Sequence, residues 1–153
     1  MILEAGINTL RTYRSFKTTF AKEHYLNMHL NKVHSSSFAK LRLGAHNLQI
    51  ERDRYSKTRI PPEQRTCKIC SSGACEDEFH FLMECKQYET QRLDFVSRIK
   101  ERYPLFSNLD IKIKFIWLMA NADDEVIKIV TAFISEIFHL RYLHNVQHQT
   151  AGL

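Results

Sequence analysis

Three cysteines and one histidine between residues 67 and 85 constrain this chain more than any other feature. They follow the spacing Cys67-x2-Cys70-x9-His80-x4-Cys85. A Cys-x-x-Cys turn places two sulfur atoms about one edge of a tetrahedron apart, and a histidine and a third cysteine can close the tetrahedron from the opposite side. The spacing therefore predicts one zinc ion (Zn²⁺) held by four protein ligands. Because such a site has no open position for water, we expect it to be structural and not catalytic.

The cysteines leave three alternatives open. Cys75 also lies in this segment and could replace one ligand, but the preceding loop of Ser71-Ser72-Gly73-Ala74 favours a free thiol. A redox pair at Cys67 and Cys70 would need a strand before it and a helix that starts on it, whereas Pro61-Pro62 and a polar stretch precede the pair. The third alternative is that the four cysteines are buried without any joint role.

The expected location follows from the cysteines and from the first residues. All four cysteines fall within 19 positions, whereas a disulfide framework in a secreted protein usually spreads them. The start Met-Ile-Leu-Glu-Ala-Gly lacks the basic and apolar parts of a signal peptide. No apolar run reaches the roughly 18 residues that a membrane span needs. We therefore expect an intracellular protein, nuclear or cytoplasmic, with reduced thiols.

Composition and length predict a mainly α fold in one domain. The chain has 153 residues but only four glycines and three prolines, which favours long helices over a fold with many tight turns. We expect a small helical domain with a Cys-Cys-His-Cys zinc knuckle between N-terminal and C-terminal helices. Its predicted segments are N-terminal helices (1–50), a basic loop (51–66), the zinc knuckle (67–85) and C-terminal helices (86–148).

Apolar spacings of three and four residues place the individual helices. Two helical pieces are predicted within 9–32, one from Phe38 onwards with Ser35-Ser36-Ser37 as its cap, and one over 88–102. A short apolar helix is expected after Asn108 or Asp110. The clearest helix is predicted over 125–144. Its apolar residues are Val126, Ile129, Val130, Phe133, Ile134, Ile137, Phe138 and Tyr142.

The positive charge lies almost wholly before the cysteines. Residues 1–66 hold 12 Lys and Arg against 5 Asp and Glu, within a chain of net charge +5. A basic segment of this kind suits a phosphate backbone. The alternative is a solvated surface that keeps the protein soluble.

The residues around the cysteines form a second pattern. Its most specific members are Arg42, Gly44, His46, Glu51, Arg54 and Tyr55, followed by Pro61-Pro62, the cysteine–histidine set and the run Glu76-Asp-Glu-Phe-His-Phe-Leu82. Upstream stand Leu10-Arg-Thr-Tyr-Arg-Ser-Phe-Lys17 and Glu23-His-Tyr-Leu26. Over most of residues 8–145, the chain resembles the C-terminal tail of LINE-type non-LTR retrotransposon reverse transcriptases.

The resemblance implies a tail that helps a larger reverse transcriptase to grip template RNA or target DNA. It places Cys67, Cys70, His80 and Cys85 on the family's zinc positions and Cys75 outside them. No polymerase active-site run and no endonuclease signature is present, and Asp123-Asp124 opens a helix instead of binding a catalytic metal. We therefore expect no enzyme activity, no small-molecule substrate and no membrane association.

The candidate nucleic-acid-binding residues are seven basic side chains and one aromatic ring. They are Arg42, Arg52, Arg54, Tyr55, Lys57, Arg59, Arg65 and Lys68. Guanidinium groups can bind phosphates bidentately, and a tyrosine ring can stack on an unpaired base. In the alternative interpretation these arginines pair with Glu51, Asp53 and Glu63, and Tyr55 is packed. The domain would then be a zinc-stapled structural or protein-interaction domain.

Overall fold

The computed structural model describes residues 10–150, with side chains as far as residue 148. The first residues, on which the expected lack of a signal peptide depends, lie outside this part of the chain. Six α-helices are present in it, and no strand is formed by the described residues. The helices are α1 (Arg11–Phe16), α2 (Lys32–Leu43), α3 (Gln49–Arg52), α4 (Glu89–Arg102), α5 (Ile111–Ala120) and α6 (Asp124–Thr150). The prediction of a mainly α fold is confirmed.

The long helix α6 is the centre of the domain. It packs against α2, α4 and α5, and the ring of its Phe133 stacks on Phe95 of α4 at 4.3 Å between centroids. The predicted apolar stripe faces the core, except that Tyr142 remains 63% exposed. The helix starts where Asp123 accepts hydrogen bonds from the backbone N–H groups of Glu125 and Val126, as an N-cap should.

The N-terminal third differs from the periodicity prediction. Helix α1 ends at Phe16, and only a 3₁₀ turn, His24–Asn27, follows before α2. Helix α2 starts at Lys32 because the side chain of Asn31 accepts hydrogen bonds from the next backbone N–H groups. The serines at 35–37, which were expected to cap a helix, therefore lie inside α2.

The basic segment 51–66, predicted as a loop, contains short helical turns. Helix α3 runs into the 3₁₀ turn Asp53–Tyr55, and a second 3₁₀ turn covers Pro62–Gln64. The turn that leads into this segment depends on Gly44, which ends α2 with a φ of 68°. A residue with a side chain is strained in this left-handed region, so glycine suits the position.

The described residues contain no helix that is long and apolar enough to cross a membrane.

Candidate metal centre

The first two cysteines lie on a tight loop that folds back on itself. The loop is closed by hydrogen bonds from the backbone N–H of Cys67 to the carbonyl of Ala74 and from that of Glu76 to the carbonyl of Arg65, at 2.8 and 3.0 Å. Thr66 and Cys75 form a single antiparallel bridge between these bonds. The two arms of the loop therefore meet in one bridge and form no strand.

The histidine and the last cysteine come from a turn of π-helix, His80–Glu84. The side chain of Asp77 accepts a 2.8 Å hydrogen bond from the N–H of His80, and the N–H of Cys85 donates to the carbonyl of His80 at 2.8 Å. This bond spans five residues instead of the four of an α-helix, so it brings His80 and Cys85 to one side of the turn. Single π turns recur at functional sites for this reason.

The donor atoms of Cys67, Cys70, His80 and Cys85 all lie within 4.8 Å of one another. Nε2 of His80 lies 3.4 Å from Sγ of Cys70. Ideal zinc–sulfur and zinc–nitrogen distances in a tetrahedron would give about 3.6 Å. The four predicted ligands therefore form one group that could hold a metal ion.

The charges in this group favour a cation at its centre. A hydrogen bond from the Cys85 thiol lowers the pKa of Cys67 to about 3, and the same bond raises the pKa of Cys85. Burial lowers the pKa of His80, but hydrogen bonds to the sulfurs of Cys67 and Cys70 outweigh it and raise the value to about 9. Without a metal, the thiolate of Cys67 is therefore held by the protons of Cys85 and His80. A bound dication would replace these protons.

One further side chain supports the ligands from outside, and a second lies close to them. Nδ1 of His80 has no hydrogen-bond partner among the described residues, and the nearest carboxylate oxygen of Glu84 lies 3.6 Å away, which is beyond hydrogen-bond distance. Arg92 donates hydrogen bonds to the carbonyls of Leu82 and Cys85 at 2.9 and 2.7 Å. It fixes the end of the π turn and brings positive charge close to Cys85.

Cys75 lies apart from the four ligands, as expected. Its thiol donates to the carbonyl of Pro62 at 3.3 Å, and burial raises its pKa to about 12. It is therefore a protonated thiol with a local structural contact.

The loop between the ligands carries a buried carboxylate, Glu76, that binds two helices. The Nε and Nη2 atoms of Arg141 on α6 each donate to it at 2.8 Å, and the backbone N–H of Gln49 on α3 donates at 2.7 Å. Both charged side chains of the pair are at least 93% buried. The loop between Cys70 and His80, which we call the metal loop, is thereby joined to α6 by a bidentate ion pair, one of the stronger kinds of polar contact.

Glu78, two residues further on, forms the second connection. It accepts hydrogen bonds from Arg11 at 2.6 and 2.8 Å, from Thr12 at 3.0 Å and from His46 at 2.7 Å. Arg11 also pairs with Glu51. Burial raises the pKa of Glu78, but these donors outweigh it and hold the value below its usual range. Helix α1 is therefore held against the metal loop by buried charges.

The predicted nucleic-acid-binding residues fall into two groups. Five are exposed: Arg52, Tyr55, Lys57, Arg59 and Lys68. Arg54 is partly buried and pairs with Glu51 at 3.0 Å. Arg42 and Arg65 are buried, and Arg65 donates to the carbonyls of Ile50 and Ile60 at 2.8 and 3.0 Å.

Arg42 is enclosed by aromatic rings and a carboxylate. Its guanidinium carbon lies 4.6 to 5.7 Å from four ring centroids, and Nη2 pairs with Glu23 at 2.9 Å. Cation–π contacts of this kind stabilise a fold. The rings are those of Tyr13, Phe16, Tyr25 and Phe38. The charge of Arg42 is thus paired within the protein interior and is not exposed to a ligand.

Replacing Arg42 with Met should therefore lower the free energy of unfolding by about 2 kcal/mol, because a buried charged hydrogen bond and its ring contacts are lost. The matched change Arg52→Met removes the same group from the surface and should cost less than about 0.5 kcal/mol. Urea unfolding followed by circular dichroism measures both. Equal midpoints for the two variants would contradict the internal role of Arg42.

The charged residues around the four ligands were not predicted from the sequence. The spacing of four between His80 and Glu84 could have revealed the carboxylate behind the histidine. Nothing local could have paired Glu76 with Arg141 or Glu78 with Arg11, because 65 and 67 residues separate these partners.

Comparisons of the chain with protein-family models, with curated proteins and with solved structures gave no match.

Proposed function

We propose that the Cys₃His group holds one structural zinc ion and that the domain is a non-catalytic nucleic-acid-binding module. The observation that carries the first part is the closed set of three sulfurs and one imidazole nitrogen within 4.8 Å. Thiolate and imidazole donors in tetrahedral arrangement suit Zn²⁺, and four protein ligands leave no position for a reacting water.

The exposed basic residues beside this site support nucleic-acid binding. Arg52, Lys57 and Arg59 are near Tyr55 in the sequence and Lys68 follows Cys67; all four are exposed, and Tyr55 is 78% exposed. Among the residues that the structure describes, none of these four cations has a carboxylate partner. Free cations beside an exposed ring suit a strand with phosphates and unpaired bases. The resemblance to the tail of LINE-type reverse transcriptases supports the same function, with template RNA or target DNA as the partner and a larger reverse transcriptase as the parent protein.

The alternative is a zinc-stapled structural or protein-interaction domain. The terminal helix would favour it if its apolar stripe were exposed, but that stripe is covered by the core up to Phe138. The zinc-stapled alternative remains as an outcome of the binding experiment.

A salt titration tests nucleic-acid binding. If the four exposed cations each contact a phosphate, the affinity should fall roughly 50- to 150-fold between 50 and 200 mM salt, with the smaller value for single strands. Fluorescence anisotropy with labelled RNA and duplex DNA measures this. The double change Lys57→Ser with Arg59→Ser should remove about two phosphate contacts. The dependence of log affinity on log salt concentration should become correspondingly less steep.

The matched control is Arg98→Ser with Lys100→Ser, which removes the same charge from exposed positions of α4. It should leave the slope close to that of the unchanged protein. No binding to RNA or DNA at low salt would overturn the nucleic-acid proposal and favour the zinc-stapled alternative.

A further inference from the structure

A groove of about 640 Å³ lies between α2 and α6, on residues that the predicted binding set mostly omits. Its polar lining side chains include Lys40, Asn47, Arg52, Arg141, Tyr142 and Asn145. We call it the α2–α6 groove. Its volume lies within the roughly 300–1,000 Å³ of sites that hold one small ligand, so it has room for a nucleotide but not for a duplex.

The groove carries a net positive charge. No Asp or Glu is among its lining residues. Lys40 and Arg52 are exposed and have no carboxylate partner in the described part of the chain. Arg141 lines the groove while Glu76 binds it from behind. The groove therefore attracts an anion such as a phosphate.

One exposed tyrosine lines the groove, and a second lines a hollow beside it. Tyr142 lines the groove and is 63% exposed, although the helical period would place this ring on the buried stripe. A smaller hollow lined by Tyr55 shares Ala45, His46 and Asn47 with the groove. The groove and the hollow therefore adjoin at these three residues, and each is lined by one exposed tyrosine.

We propose that the α2–α6 groove binds an unpaired nucleotide of a single-stranded nucleic acid. Lys40 and Arg52 bind its phosphate, and Tyr142 stacks on its base. Asn47 and Asn145 offer amide donors and acceptors to the edge of the base. A duplex cannot bind in this way, because its bases already stack on each other. This inference rests on the proposed function and adds to it the single-stranded form and the residues that recognise it.

The test uses the full zinc-loaded chain and a fluorescein-labelled 12-nucleotide single strand, with a duplex of the same sequence as the second probe. Tyr142→Ala should weaken single-strand binding about 5- to 150-fold, the usual effect of losing one stacked base. Binding of the duplex should not change. Tyr142→Phe should keep the affinity, since the ring and not the hydroxyl is used. The control Leu143→Ala removes an exposed neighbour on the same helix and should have no effect.

The phosphate contact is tested in the same assay. Lys40→Ser should reduce the salt slope for the single strand by about 0.7, whereas Lys32→Ser, an exposed lysine of the same helix, should leave it unchanged. Unlabelled adenosine monophosphate serves as a competitor. It should not displace the strand at equal concentration, and displacement would mean that the groove is a site for free nucleotides instead.

The outcomes separate this inference from the proposed function. If the unchanged protein binds neither probe, both fail. If it binds but Tyr142→Ala and Lys40→Ser match their controls, only the groove is excluded. Zinc content and melting temperature, measured for every variant, ensure that a loss of binding is not a loss of fold.

Discussion

The change Cys85→Ser should remove the metal from the protein and lower its melting temperature by at least about 10 °C. Serine is not a ligand for zinc, and Cys85 is buried between the π turn and the core. Structural zinc sites contribute about 10–16 kcal/mol of apparent binding free energy in small domains. A loss of even about 3 kcal/mol is a large part of the stability of an ordinary domain. Metal analysis by mass spectrometry and thermal unfolding measure the two effects.

Cys75→Ser is the matched control for this change. Cys75 lies on the same loop but outside the group of four ligands, and its thiol donates to the carbonyl of Pro62, so we expect full zinc content and a melting temperature within a few degrees of the unchanged protein. Retention of one zinc ion by Cys85→Ser, with the same melting temperature as Cys75→Ser, would exclude the proposed site.

Loss of the metal should also weaken binding in the α2–α6 groove. Glu76 lies between the ligands Cys70 and His80 and binds Arg141, which lines the groove. A loosened metal loop therefore releases a buried arginine on the central helix. The Cys85→Ser protein should therefore bind single strands more weakly than the unchanged protein, although both carry the same exposed basic residues.

The Cys₃His group could be predicted from sequence because its information is local. The ligands fall within 19 residues, and the two loops that carry them are closed by bonds inside the same segment. Helices α5 and α6 were also predictable, because Asp110 and Asp123 supply cap oxygens directly before apolar repeats. In these places residue type and near spacing decide the structure.

The N-terminal third and the basic residues were less predictable because long-range contacts decide them. The period of Tyr13 and Phe16 predicts the first of two helical pieces within 9–32, but it does not show that these two rings enclose Arg42. Arg42, Arg52 and Arg65 look alike in the sequence, but only Arg52 reaches solvent. Which arginine is internal depends on partners such as Glu23 and the carbonyl of Ile50, and no local pattern specifies these.

Replacing Glu78 with Gln should destabilise the domain by about 3–5 kcal/mol, the usual cost of breaking a buried ion pair. The amide keeps the shape and can still accept from His46, but it no longer neutralises Arg11, which is left with Glu51 alone in the interior. Urea unfolding measures the change. Glu101→Gln, at an exposed position of α4, is the control and should cost less than about 0.5 kcal/mol.

The double variant Arg11→Met with Glu78→Gln tests the cause of this loss. If the penalty comes from the uncompensated charge of Arg11, the double variant should lose less stability than the two single variants lose together. Additive losses would instead mean that each side chain acts only through its own packing.

The pH dependence gives an independent check with a defined sign. The pKa of Glu78 is lowered in the folded protein, so its contribution to stability is complete above the pKa of the unfolded chain, near 4.5, and is lost as the pH falls through the folded value. The difference in unfolding free energy between the unchanged protein and Glu78→Gln should therefore shrink as the pH falls below about 5. Protonation of the metal ligands affects both proteins and cancels in the difference. A difference that grew below about pH 5 would mean that Glu78 is protonated in the fold, and the charge network around Arg11 would then be excluded.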